Sequence, residues 1–290
     1  MTNLVIGGSG LVGYEFYRQK KDNYKFTYKS QKINSFIELD ATCFEETKKL
    51  INKLSPEIVI VTAAMPDVNK CEIEKELAFK TNVGIIENII KCLSKKSKIV
   101  FFSSDYVFDG NSGPYSEKDK TNPINYYGEL KVSCERKIIN SGIKHLIIRT
   151  TGIFGWEMAR KNFFYRVFDT LSSGKELFVP NDQFGNPTYV KDLVSTIEKM
   201  LNQDCEGIYN VVGEEWIARD NFARNIAKSF GLNDTLIIGK PTKYFKNIAP
   251  RPLKAGLRSD KIRKLGISIK SMDQAFEDMK NRKSIDDRYT

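Results

Sequence analysis

The sequence predicts an α/β protein, a doubly wound parallel sheet with a smaller C-terminal α/β substrate domain attached. Three observations predict it. Short apolar runs alternate with amphipathic helical stretches through the first half of the chain, the pattern of βαβ units joined by right-handed crossovers. A triplet of glycines spaced three apart follows the first apolar run directly. After Arg149 the alternation breaks and longer helical stretches take over.

The elements follow in order. "NLVIG" (3–7), "KFTY" (25–28), "FIEL" (36–39), "EIVIV" (57–61), "KIVFF" (98–102) and "HLIIR" (145–149) read as strands, being short, apolar and rich in β-branched residues. "FEETKKLINKL" (44–54) and "VGIIENIIKCL" (83–93) between them carry the apolar spacing of one helix face. Beyond Arg149, "NFFYRVFDTL" (162–171) and "RDNFARNIAKSFG" (219–231) read as helices, and "GIYNVV" (207–212) as a strand that returns to the main sheet. Residues 1–150 thus form a cofactor-sized first domain, rejoined by about 188–213, and 151–290 form mainly the second. No internal repeat or low-complexity segment appears.

Composition narrows the function classes. With 41% apolar and 28% charged residues, the chain has the balance of a soluble globular protein. No apolar run approaches the ~20 residues of a membrane span, and the start goes straight into a strand without a signal-peptide pattern. A cytoplasmic location is the expectation, with no membrane partner. Cys43, Cys71, Cys92, Cys134 and Cys205 are scattered without a C-x-x-C pair, and His145 is the only histidine. This argues against a disulfide framework and against a metal site. The net charge of +10 comes from lysines spread as singles and pairs. That is a solvated surface able to steer small anions, rather than the concentrated patch of a nucleic-acid binder.

Gly7, Gly10 and Gly13 stand at i, i+3 and i+6 between the first strand and the first helix. A tight turn, close approach of backbone to a pyrophosphate and a helix N-terminus opened by Leu11 and Val12 are what dinucleotide binding requires, and a Rossmann-like domain supplies them. The second strand ends "TYKSQK" with no acid placed for a ribose 2′-hydroxyl. Lys29, Ser30 and Lys32 are suited to a 2′-phosphate instead, so NADPH is expected over NADH, which stays possible. Asp40 is placed for the adenine end, and Ala63 and Ala64 after the fourth strand let a cofactor lie close.

"NYYGELK" (125–131) holds the chemistry. Three Tyr-x-x-x-Lys pairs occur, Tyr17/Lys21, Tyr28/Lys32 and Tyr127/Lys131, so spacing alone does not select one. Tyr127 and Lys131 share a helix face at i, i+4, whereas Tyr126 points elsewhere. Ser104 ends the fifth strand in "VFFSSDYVFDG", on the carboxyl side of the sheet where ligands bind. Its hydroxyl is available to the oxygen that Tyr127 would protonate, and the other two tyrosines have no such partner. An ammonium at ~4 Å with an effective dielectric of ~20 supplies roughly 4 kcal/mol, which would bring the phenol from ~10 to about 7.

These residues resemble the extended short-chain dehydrogenases/reductases, and among them the dTDP-4-dehydrorhamnose reductase family. The likeness runs almost end to end, through the glycine loop, "AAMPDVNKCE", "SSDYVFDG", "NPINYYGELK", "IIRTTGIFG", "NDQFGNPTYVKDL" and "APRPLKAGL". It implies a nucleoside-diphosphate sugar substrate, Ser104, Tyr127 and Lys131 as catalytic residues, and Val68, Tyr106, Asn162, Gln183 and Arg251 among the substrate contacts. It also allows a homodimer. Gly152 stands where relatives carry a Trp against the sugar, Asn69 replaces a usual Asp, and Lys191 replaces a Glu that in some members helps bind magnesium.

The expected reaction is reduction of the 4-keto group of a nucleoside-diphosphate 4-keto-6-deoxy sugar. A dehydratase of this fold would want an Asp-Glu pair where this chain has Asp105-Tyr106. An epimerase keeps the same Tyr and Lys, and a reductase-like regulatory subunit, such as the β-subunit of methionine adenosyltransferase, belongs to a different class of function. Both stay open at the level of sequence.

Overall fold

The computed structural model of the chain describes residues 2–286. Its first half runs β1 (Asn3–Ile6), α1 (Leu11–Lys20), β2 (Tyr24–Tyr28), β3 (Ile37–Glu38), α2 (Phe44–Leu54), β4 (Ile58–Val61), α3 (Val68–Ile73), α4 (Lys75–Phe79), α5 (Ile85–Cys92), β5 (Lys98–Ser104), α6 (Tyr126–Asn140) and β6 (Lys144–Thr150). There follow β7 (Ile153–Phe154), α7 (Phe163–Ser172), β8 (Leu177–Pro180), β9 (Phe184–Gly185), β10 (Thr188–Tyr189), α8 (Val190–Asn202) and β11 (Gly207–Asn210). The chain closes with β12 (Ile217–Ala218), α9 (Arg219–Ser229), β13 (Ile237–Lys240), α10 (Asp260–Arg263) and α11 (Met272–Asp286).

Seven strands form one sheet in the order β11-β6-β5-β4-β1-β2-β3, and every pairing in it is parallel. Alternate residues of each strand enter opposite layers, as the pleat demands. Leu4, Ile6, Val59, Val61, Ile99, Phe101 and Ile147 pack with the apolar faces of α2, α5 and α6. Val5, Ile60, Val100 and Ile148 meet Phe16 of α1 and Leu193, Ile197 and Met200 of α8. Burial on both faces explains why these strands are nearly continuous apolar runs.

From β1 the chain winds outward to β2 and β3, then returns to β4 on the other side and proceeds to β5 and β6. The winding reverses between β1 and β4, and a crevice at their carboxyl ends is the consequence. β11 joins the far edge, with Tyr209 opposite Ile148. The expected strand at 36–39 shrinks to Ile37–Glu38 at the opposite edge. The helix expected from residue 83 begins as a wide i→i+5 turn over Lys80–Gly84 before α5.

A separate aromatic core holds α7, α9 and α11 together, with Phe154, Trp156, Phe164, Phe222 and Phe276 at its centre. Trp156 is fixed by donating its indole N–H to the Met279 carbonyl at 2.8 Å. Three two-stranded sheets, β10-β7, β12-β9 and β13-β8, form outside the large sheet. Among the described residues, no helix is long and apolar enough to cross a membrane.

Candidate active site

The glycine loop lies where β1 gives way to α1. Gly7 has φ +92°, and a Cβ there would sit 2.6 Å from the Ala63 nitrogen. A Cβ on Gly13 would be 2.4 Å from the Gly7 carbonyl oxygen, so both positions admit only glycine. Gly10 differs, since a Cβ there would meet only the Gly7 oxygen at 3.6 Å. The space it leaves is in front of the α1 N-terminus, which has no side-chain cap. A helix end with open N–H groups at Leu11 and Val12 is of the kind that attracts a pyrophosphate. Thr62 braces the loop, donating to the carbonyls of Ile6 and Gly7 at 3.0 and 2.9 Å, and Ala63 and Ala64 continue beside it.

At the outer end, Lys29 and Asp40 pair at 2.8 Å, and both are well exposed. Partial burial would raise the Asp40 carboxyl, but its bonds to Lys29 and Thr42 outweigh that and hold it below the ordinary carboxylate range. The two sequence candidates are therefore partners of each other. Ser30 lies exposed beside them.

Ser104, Tyr106, Tyr127, Lys131 and Arg251 come together in one linked group. Ser104 ends β5 and is buried. Its hydroxyl donates to Asp105 Oδ1 at 3.1 Å and accepts the Tyr106 N–H at 3.2 Å. The Tyr106 ring meets Tyr127 edge to face, with centroids 6.0 Å apart, and the Arg251 charge opposes the rise that burial gives the Tyr106 phenol. Asn125 caps α6 by accepting the Gly128 N–H at 2.9 Å, which sets the helical frame that brings Tyr127 and Lys131 to one side. Tyr126 turns away, with Lys75 over its ring at 5.1 Å.

The electrostatics differ from the expectation. The Tyr127 phenol is pushed up, not down: burial is the main cause, Asp105, Cys71 and Tyr106 add to it, and Ser104 opposes it. Lys131 does not counter the rise. Its ammonium donates to the Phe102 carbonyl at 2.8 Å, stands 5.5 Å from the centre of the Tyr127 ring, and is itself pushed down by burial. A site built this way keeps Tyr127 protonated at neutral pH, as a proton donor must be.

Two arginines escaped the sequence reading. Arg219 opens α9 with its guanidinium over the Phe163 ring at 4.4 Å. Burial pushes its pKa down, and Arg166 and Arg251 depress it further, while Tyr106 and Asp105 pull the other way. Arg219 of α9 and Arg251 of the 250-loop thus lie beside Tyr106, and Arg166 of α7 is close enough to Arg219 for their charges to repel. Asn69 accepts from Arg251 at 2.9 Å and from the Ala249 N–H at 3.2 Å. As a neutral amide it leaves the arginine's charge uncancelled. The group is suited to a multiply charged anion.

Val68 begins α3 next to Asn69. Gln183 donates to the Thr242 hydroxyl at 3.0 Å, and its backbone carbonyl receives the Arg219 N–H at 2.9 Å. Asn162 caps α7, and both ends of its amide are engaged, by Phe164 N–H and the Gly155 carbonyl. Gly152 has φ +55° with Pro187 3.4 Å from a would-be Cβ. The Lys191 ammonium is held by Asp278 at 2.6 Å. Among the described residues, no cluster of three or more His, Cys, Asp or Glu side chains is arranged to hold a metal ion.

Comparison with known proteins bears on this geometry. The family described as RmlD substrate binding domain matches residues 1–284. A dTDP-4-dehydrorhamnose reductase of Aggregatibacter actinomycetemcomitans is 28% identical over 96% of this chain and 97% of its own. Methionine adenosyltransferase 2 subunit beta of Xenopus tropicalis is also 28% identical, over 91% of this chain and 82% of its own. The crystal structure of dTDP-4-dehydrorhamnose reductase from Bacillus anthracis in complex with NADP superposes with a TM-score of 0.86 at 26% identity, covering 96% of this chain and 98% of that one.

Proposed function

The chain belongs to the RmlD substrate binding domain family, and from that premise we propose that it is an NADPH-dependent reductase of the 4-keto group of a nucleoside-diphosphate 4-keto-6-deoxy sugar. The observation that carries this reading is the meeting of two chemistries within one group: Tyr106 links the Ser104 hydroxyl, through its N–H, to the Tyr127 ring packed edge-on against it, and Arg251 and Arg219 lie beside Tyr106. A bound reduced nicotinamide dinucleotide supplies the hydride. Gly7, Gly10 and Gly13 with the α1 N-terminus hold its pyrophosphate, and Lys29 and Ser30 face its adenosine end. Arg251, Arg219 and Arg166 bind the substrate diphosphate and so fix the sugar against Tyr106. Tyr127 gives its proton to the oxygen that becomes a hydroxyl, while Ser104 hydrogen-bonds that oxygen. Lys131, anchored on the Phe102 carbonyl, sets a positive charge beneath the tyrosine ring.

The test is NADPH oxidation followed at 340 nm against a panel of nucleoside-diphosphate 4-keto sugars, with the matching 4-hydroxy sugars as controls. Consumption of NADPH with only the keto sugars is the expected result. The kinship to the methionine adenosyltransferase subunit favours a second reading, a regulatory partner that binds the dinucleotide without turnover. No NADPH oxidation on any sugar, together with stable capture of a methionine adenosyltransferase catalytic chain, would establish that instead.

A further inference from the structure

Asp105 has no part in the reaction as described, yet it sits at its centre. Only 3% of its surface is exposed. Its carboxylate accepts the Ser104 hydroxyl at 3.1 Å, and Thr151 and Gly256 favour its charged form. The charged and titratable groups facing it are Tyr127 on α6, Tyr106 on its own segment and Arg219 on α9.

A serine hydroxyl has one proton to give. Here Ser104 spends it on Asp105, while its oxygen accepts the Tyr106 N–H. In that arrangement Ser104 has nothing left to donate to a sugar oxygen, and Tyr127 acts alone. A protonated Asp105 no longer needs the serine proton, which is then free to turn toward Tyr127 and the reacting oxygen. We propose that Asp105 is a positioning residue acting through Ser104: its protonation state decides whether the serine proton faces the carboxyl group or the substrate. The inference rests on the reductase reading for its kinetic part only. Burial supports it, raising the carboxyl from 3.8 to about 6 against the bonds from Thr151 and Ser104, which places the change within an accessible pH range.

Two measurements test it. The first is the pH profile of kcat between pH 5 and 8.5 for the unsubstituted enzyme, Asp105→Asn and Ser104→Ala. Losing one donor to a developing oxyanion costs up to about 10²–10³-fold, so the unsubstituted enzyme should slow at least about tenfold as pH rises through the carboxyl titration. Asp105→Asn, whose amide cannot titrate and whose neutral oxygen holds the serine proton more weakly than a carboxylate does, should show a flat profile and exceed the unsubstituted rate at pH 8, and Ser104→Ala should be flat and slow. A limb that persists in Asp105→Asn, or an Asn variant slower at every pH, overturns the proposal. The second uses free protein with ¹³C-labelled aspartate carboxyls, the Asp105 signal being identified by its loss in Asp105→Asn. Ser104→Ala should move the Asp105 midpoint upward, because a bond favouring the charged form is gone. An unmoved midpoint overturns the proposal whether or not any sugar is turned over.

Discussion

The Tyr106 ring stands edge-on to the Tyr127 ring, centroids 6.0 Å apart at an interplanar angle of 82°. The tyrosine assigned as acid thus lies between a second aromatic ring and the Lys131 ammonium, whereas Tyr126 lies outside, under Lys75. Tyr127→Phe is expected to lower turnover by about 10²–10⁴-fold while NADPH binding is kept. Tyr126→Phe should leave the chemical step nearly intact. Single-turnover rates and NADPH titrations of both variants check this, and a near-normal Tyr127→Phe enzyme would refute the assignment.

The Lys29–Asp40 pair predicts a graded effect on cofactor choice. Asp40→Asn frees Lys29 for a 2′-phosphate and should tighten NADPH relative to NADH. Lys29→Asp should narrow or reverse the preference. Exposed charges of this kind are worth up to about 1 kcal/mol, so each change should be roughly fivefold in the ratio of dissociation constants, measured by fluorescence titration.

The arginine group predicts a trade of stability against binding. Arg219→Met relieves repulsion from Arg166 and Arg251, so the variant should melt at a higher temperature. Its KM for a nucleoside-diphosphate sugar should rise roughly ten- to a hundredfold, since a hydrogen bond to a charged group is worth about 1.5–3 kcal/mol. Calorimetry and steady-state kinetics on the same preparation decide it, and an unchanged KM would remove Arg219 from the substrate site.

Gly152 predicts sugar selectivity. A tryptophan there would occupy the space the glycine leaves, at a cost of about 1–2 kcal/mol for a left-handed side-chain-bearing residue. Gly152→Trp should lose turnover on bulkier 4-keto sugars by about tenfold while sparing the 6-deoxy hexose. Equal loss on both would show that the glycine leaves no usable room.

Asp105 also predicts a pH dependence of stability. Its carboxyl is raised from 3.8 to about 6 on folding, so the folded state binds the proton more tightly. The stability this gives is fully present below the unfolded pKa and is lost as pH rises through about 6, about 3 kcal/mol in all. Asp105→Asn should abolish that loss. Comparing denaturant midpoints of the two proteins at pH 4 and pH 8 isolates the term, because every other carboxylate is common to both.

The sheet and the glycine loop were legible because their physics is local. Apolar runs bounded by turns, and glycines at positions where a Cβ would strike Ala63 or Gly7, leave a mark within a few residues. Tyr127 was legible through its spacing to Lys131 and the nearby Ser104. What the sequence hid is long-range. Arg166 and Arg219 lie on separate helices, 85 and 32 residues from Arg251, and no motif spacing ties them to it. The sign of the Tyr127 shift depends on burial and on the Asp105 charge, neither of which a Tyr-x-x-x-Lys pattern contains. Lys29 and Asp40 were each read as cofactor contacts, and only the pairing of β2 with β3 shows them neutralising one another.

The placing of β11 has a consequence for how the chain is made. β6 is a seven-residue strand with five buried residues in succession, and its outer neighbour is β11, beginning at Gly207. A nascent chain that has just released β6 from the ribosome must wait for roughly sixty further residues, about 3–12 s at about 5–20 residues per second. Through that interval β6 has a bare row of backbone N–H and C=O groups, a template for strands of other chains. A fragment ending at residue 150 would hold that exposed edge permanently and should aggregate where the full chain does not. Any chaperone attending the synthesis of this protein has one defined segment to shield, and a few seconds in which shielding it matters.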